Sequence, residues 1–127
     1  MAERAHFENS VPILNVQNLN LSVEYYCSKL GFEVDWLMEG VMGSVSRDGK
    51  GVMLCQGGQG QAGAWVWMGV SDVDALYSEY LKSGAIVRVP PRNYSWSCEM
   101  HVEDIDGHTL RMGSECKEDQ PIDEWVE

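Results

Sequence analysis

No stretch of this 127-residue chain approaches the ~20 consecutive apolar residues that a membrane-spanning helix needs. The opening, MAERAHFENS, lacks the apolar core of a secretion signal. The four cysteines, Cys27, Cys55, Cys98 and Cys116, have neither CxxC nor zinc-type spacing. These absences predict reduced thiols in a cytoplasmic protein. Positive charge is also scarce: 9 Lys and Arg stand against 20 Asp and Glu, a formal net charge of −11. Such a field repels nucleic acid and anionic lipid and favours cationic partners. The glycine-rich GGQGQAG has no GK[ST] ending and so is no phosphate loop. No G-x-S-x-G nucleophile element occurs.

What is present fits one compact domain, with 44% hydrophobic residues. The main organisational signal is a duplication. VQNLNLSVEYYCSKLGFEV from Val16 parallels VSDVDALYSEYLKSGAIV from Val70. Each has a helix-capping residue (Asn18, Asp72), a helical apolar spacing (Leu19, Val23, Tyr26, Leu30; Val73, Leu76, Tyr80) and a terminating glycine (Gly31, Gly84). Each half also ends alike, with Asp48-Gly49 and Asp106-Gly107 marking hairpin turns. The prediction is α+β: two βαβββ modules forming a curved mixed sheet with a concave cleft. Module one spans 11–56, a flexible linker 57–63, module two 64–114 and an acidic tail 115–127. The tail is expected to be solvated and mobile, and Trp125 within it to anchor onto the domain or a partner.

Strand alternation sorts the candidate residues by face. Asn15 in the first strand, Trp65 and Trp67 in the fifth, Glu99, His101 and Glu103 in the seventh and Arg111 in the eighth are predicted to face away from the helices. Trp36 falls in the second strand and Trp96 just before the seventh. Two tryptophans on a helix-free face call for a flat aromatic or cationic ligand, or for a dimer partner that covers them. His101, between two carboxylates, is expected to hold its proton longer. It can serve as a salt-link, a ligand contact or an acid–base group. His108 is expected to be an exposed residue at the hairpin tip. DIDGHTLRMGSE is no calcium loop, because its glycine is at the fourth position and not the sixth. Cys55 and Cys98 are expected to reach the cleft, without a visible base. Cys27 is expected to pack.

In this order, VPILNVQNLNLSVEYYCSKLGFEVDW, AWVWMGVSDVDALYSEYLKSGA and WSCEMHVEDIDGHTLRMG resemble the vicinal oxygen chelate superfamily, closest to its bleomycin-resistance group. The resemblance spans roughly residues 11 to 113. It implies acidic homodimers, with or without exchange of the first strand, that bind a cationic drug at the subunit interface. It places Trp96 where a tryptophan stacks on the planar part of bleomycin, and Trp36 near an aromatic of the facing subunit. Where the group has Gly then Arg after that tryptophan, Ser97 and Cys98 stand here. The metal-ligand positions of the superfamily fall at Val11, Met53, Trp65 and Arg111, none of which is a divalent-metal ligand.

The sequence therefore points to a metal-free binding protein with no cofactor and no catalytic residue, sequestering a planar, cationic molecule of the bleomycin type. Its expected ligand-binding residues are Trp36, Trp65, Trp67, Trp96, Glu99, His101, Glu103, Arg111 and Asn15. Two alternatives stand beside it. One is a lyase or isomerase using His101 with Glu99 or Glu103; the other is a protein-interaction module.

Overall fold

The computed structural model describes residues 4–124. The first module runs β1 (Ile13–Asn15), α1 (Leu19–Ser28), β2 (Glu33–Met38), β3 (Met42–Arg47) and β4 (Lys50–Cys55). The second repeats it as β5 (Trp65–Gly69), α2 (Val73–Ser83), β6 (Ile86–Asn93), β7 (Cys98–Glu103) and β8 (Thr109–Ser114). The sheets have the same order, β1-β4-β3-β2 and β5-β8-β7-β6. In each, the first strand pairs parallel with the last and the other pairings are antiparallel. The duplication seen in the sequence is thus a duplication of topology, giving an α+β fold with two open mixed sheets.

Local chemistry accounts for the elements. Asn18 and Asp72 cap their helices, their side chains accepting from Leu21 N–H and Ala75 N–H. Gly84 ends α2 in the left-handed region, at φ +84°. The β3–β4 turn puts both Asp48 (φ +53°) and Gly49 (φ +76°) at positive φ, as a two-residue hairpin with this twist requires.

The helix-bearing sides of both sheets meet in one core. Leu14, Val16, Leu54, Met100, Val102, Leu110 and Met112 are fully buried in it with Tyr26 and Tyr80. Two buried tyrosines cross between the modules. Tyr26 donates from α1 to Asp104 Oδ2 at 2.7 Å, and Tyr80 donates from α2 to the Leu30 carbonyl at 2.8 Å. Arg47 adds a forked pair to Glu79 at 2.6 and 2.9 Å. The Gly57–Gly63 connector lies against β1. Asn15 Nδ2 donates to the Gly57 and Gln59 carbonyls, and a side chain at Gly60 would meet β1 backbone at 2.7 Å.

Three expectations are corrected here. His108 is not exposed at a hairpin tip but fully buried. Its Nδ1 accepts from Ala64 N–H at 3.0 Å, so the proton sits on Nε2, which donates to the Asn15 carbonyl at 2.6 Å. It thereby bridges the strand ends of the two modules. Cys98 does not reach an open face; it lies in the core beside Met100. The tail is not loose over residues 115–124. Asn93 exchanges bonds with the Lys117 backbone and with Asp123, because its own carbonyl and N–H point off the edge of β6. The side chains of residues 118–124 remain exposed. Trp125 lies outside the described residues.

Candidate functional site

The helix-free face of the second sheet is built in rows, because residues paired across a ladder share a face. Trp65, Thr109 and Glu103 form one row, Trp67, Arg111 and His101 the next, and Gly69, Gly113 and Glu99 the third. Trp65 and Trp67 are 63% and 56% exposed, while the intervening Val66 and Met68 pack on the core. Both indoles therefore stand on an open surface.

The glycine row shapes this surface. A methyl group at Gly69 would sit 3.1 Å from the six-membered ring of Trp67. A methyl at Gly113 would sit 3.0 Å from Glu99 Cγ. The two bare positions let Trp67 lie down along the strand and let the Glu99 side chain fold beneath it.

Glu99 is only 2% exposed and carries three donors. Arg111 Nε donates to Oε1 at 2.6 Å. Trp67 Nε1 donates to Oε2 at 3.3 Å, and Ser97 Oγ donates to the same oxygen. Burial alone would raise the pKa of this carboxyl, but the bonds from Ser97, Arg111 and Trp67 outweigh it and hold the group below the ordinary carboxylate range. Glu103 is likewise engaged, with Arg88 at 2.7 and 3.3 Å.

His101 departs from expectation. It lies opposite Arg111 in the ladder and meets Trp65 edge to face at a centroid distance of 5.4 Å. Burial, then the Arg111 and Arg92 charges, push its pKa below the ordinary histidine value, and Glu99 opposes this only in part. The imidazole is therefore neutral at neutral pH and does not hold its proton longer. Arg111 was expected on this face, but its charge, joined by that of Arg92 on the other neighbouring strand, repels the imidazolium more than Glu99 attracts it.

The other predicted residues stand on other elements. Trp36 is on β2, the edge of the first sheet, in the row Ile13, Met53, Ser44, Trp36. A register shift beside it turns Asp35 toward Ser44 and Ser46, whose hydroxyls donate to its carboxylate at 2.9 and 2.7 Å. Trp96 stacks on Tyr94 at 4.8 Å with 5° between the rings. Asn15 spends its amide group on the connector. A hollow of about 420 Å³ lies elsewhere, between the β3–β4 hairpin and α2, and no tryptophan lines it.

The donor set does not fit a metal. Val11, Met53 and Trp65 offer no oxygen, imidazole or thiolate, and Arg111 is a cation already paired with Glu99. Among the described residues, no three His, Cys, Asp or Glu side chains gather to hold an ion. No described helix is long and apolar enough to cross a membrane.

Residues 5–112 match the family model described as Glyoxalase/Bleomycin resistance protein/Dioxygenase superfamily. No curated protein matches the chain. Among solved structures, the bleomycin-binding protein from bleomycin-producing Streptomyces verticillus, complexed with copper(II)-bleomycin, superposes with a TM-score of 0.73 at 19% identity, over 91% of this chain and 100% of that one. TioX from Micromonospora sp. ML1 superposes with a TM-score of 0.72 at 19% identity, over 89% and 100%. A glyoxalase/bleomycin resistance protein/dioxygenase from Nocardioides superposes with a TM-score of 0.67 at 18% identity, over 95% and 93%. At these identities the likeness concerns the fold.

Proposed function

The chain belongs to the Glyoxalase/Bleomycin resistance protein/Dioxygenase superfamily, and from that premise we propose that it binds and sequesters a planar, cationic small molecule of the bleomycin type. The observation that carries this reading is the pair Trp65 and Trp67, standing exposed on the helix-free face of β5. Trp67 is held from two sides, by its bond to Glu99 and by contact over Gly69. A preset indole loses little freedom when a flat ring stacks on it, which favours binding.

Charge selection in this reading is long-range. Glu99 and Glu103 are already paired with Arg111 and Arg88, so Glu99 acts by positioning Trp67. The −11 net charge draws cations toward the protein. Asp35, beside Trp36, accepts from the Ser44 and Ser46 hydroxyls and offers a local anion. Sequestration needs no bond to be made or broken, and antibiotic resistance would follow from lowering the drug's free concentration.

The active unit in this reading is a homodimer. Val11, Ile13, Trp36, Leu37 and Met38 on the first module, and Trp65 and Trp67 on the second, leave large apolar surfaces uncovered. Phe7, in the extended lead-in, is fully exposed. A second copy covering these faces would place Trp36 against the other chain's Trp65 and Trp67 and close a crevice between them.

A second reading rests on His101. Its depressed pKa leaves a basic nitrogen available at neutral pH, as a metal-independent lyase or isomerase would require. Tryptophan fluorescence titration with bleomycin and other planar cations tests sequestration. Saturable quenching supports it; no quenching by any of them, with the dimer intact, counts against it. Substrate turnover that is lost in His101→Gln would favour the enzyme instead.

A further inference from the structure

Cys98 and Cys116 are brought together by the way the chain leaves β8. In the sheet, Cys98 lies between Ser114 of β8 and Asn93 of β6. All three share the helix-bearing face: Cys98 is in the core, and Ser114 accepts from the first N–H of α2. The chain then runs from Ser114 to Lys117, whose N–H and carbonyl bond the Asn93 side chain at 2.8 and 2.9 Å. Lys117 is further pinned by an ion pair to Asp74. Two strand spacings separate β8 from β6, about 9.6 Å, and three residues reach at most about 10–11 Å. Residues 115 and 116 therefore have to cross the start of β7, where Cys98 lies. The crossing carries Cys116 past Cys98, and a disulfide between them needs a Cα separation of about 4.4–6.8 Å.

We propose that Cys98 and Cys116 form a reversible disulfide that locks the acidic C-terminal segment over the start of β7. Cys116 is half-exposed and Cys98 is buried, which sets the order of events. The Cys116 thiolate attacks a small disulfide such as oxidised glutathione, and one glutathione thiolate leaves. The Cys98 thiolate then attacks the Cys116 sulfur, and the second glutathione leaves as a thiol. Two protein thiols are oxidised and one small disulfide is reduced to two thiols. Burial, and next the adjacent Cys116, raise the pKa of the Cys98 thiol, so it is the poorer first attacker. Cys27 and Cys55 lie in the first module, on α1 and β4, outside this crossing. In a reducing compartment such a bond would be transient and sensing rather than structural. Ser97 and Glu99 flank Cys98, so the lock would bear directly on the carboxylate that holds Trp67.

The test uses the full chain equilibrated with reduced and oxidised glutathione, followed by alkylation and peptide mapping by mass spectrometry. The expected product is a linked peptide pair holding Cys98 and Cys116, reversed by excess reduced glutathione, with Cys27 and Cys55 alkylated. Tryptic cleavage after Lys117 should slow severalfold in the oxidised form. In Cys98→Ser, glutathione should accumulate on Cys116; in Cys116→Ser, Cys98 should stay alkylated. A stable glutathione adduct on Cys116 beside an alkylated Cys98 in the unsubstituted protein would overturn the proposal. So would a link through Cys27 or Cys55.

Discussion

Replacing Glu99 by glutamine removes one charge and keeps the shape, so its effect can be worked from three bonds. Oε1 takes Arg111, and Oε2 takes Ser97 and Trp67. A glutamine oxygen can replace only one of these positions, and its amide nitrogen must face donors at the other. If the oxygen keeps Ser97 and Trp67, a nitrogen faces the guanidinium; if it keeps Arg111, a nitrogen faces the indole N–H. The first case loses the Arg111 bond and the second the Trp67 and Ser97 bonds, at about 1.5–3 kcal/mol for a charge-assisted bond, and a partly buried donor is left facing the amide at up to about 1–3 kcal/mol. Arg111 is 29% exposed, so water recovers part of this. The expected loss is about 2–4 kcal/mol, or roughly 6–20 °C in Tm for a chain of this length. The difference should depend on pH. The folded pKa of Glu99 lies below its unfolded value, so its contribution is full above the unfolded value and fades as pH falls through the folded one. Thermal unfolding followed by near-UV circular dichroism at pH 7 and in acid measures both effects. A Glu99→Gln protein within about 0.5 kcal/mol of the parent at pH 7 would refute the network, since that is the range of ordinary surface changes.

Three further outcomes follow from the same geometry. The C2 proton of His101 should titrate by NMR with a midpoint below the unperturbed ~6.5, and the stability His101 contributes should be lost as pH falls from that value through the folded one; a midpoint above it would contradict the placement of Arg111. His108→Ala should cost about 3 kcal/mol by denaturant unfolding, from two lost bonds and a vacated buried ring, and a cost under 1 kcal/mol would contradict the bridge between the modules. Asn93→Ala should loosen the segment at Lys117, by removing the side-chain bonds to its N–H and carbonyl while the backbone bonds to Asp123 stay, seen as faster trypsin cleavage after Lys117, and an unchanged rate would contradict the docking.

The duplicated plan was legible because its signals are local. Helix caps at Asn18 and Asp72, the Asp48-Gly49 turn and the alternation of Trp65-Val66-Trp67-Met68 each act within a few residues. The rest depended on contacts distant in the chain. His108 reads as a turn residue until Asn15, 93 positions away, is brought against it. His101 reads as a proton-retaining histidine until Arg111 and Arg92 arrive on neighbouring strands. Asn93 reads as an ordinary strand end, yet its side chain and backbone fasten the tail. Gly69 and Gly113 carried no signal alone, because their role appears only when β5, β8 and β7 lie side by side.

Whether the β5 indoles hold a planar cation is the central question for this protein. Isothermal titration of the unsubstituted protein and of Trp67→Ala with bleomycin, at low and at physiological salt, measures this most directly. Stacking on one aromatic contributes about 1–3 kcal/mol, so affinity should fall about 5–150-fold in Trp67→Ala, and it should weaken with salt in both proteins. Equal affinity in the two proteins, or binding indifferent to salt, would contradict a planar cation held there.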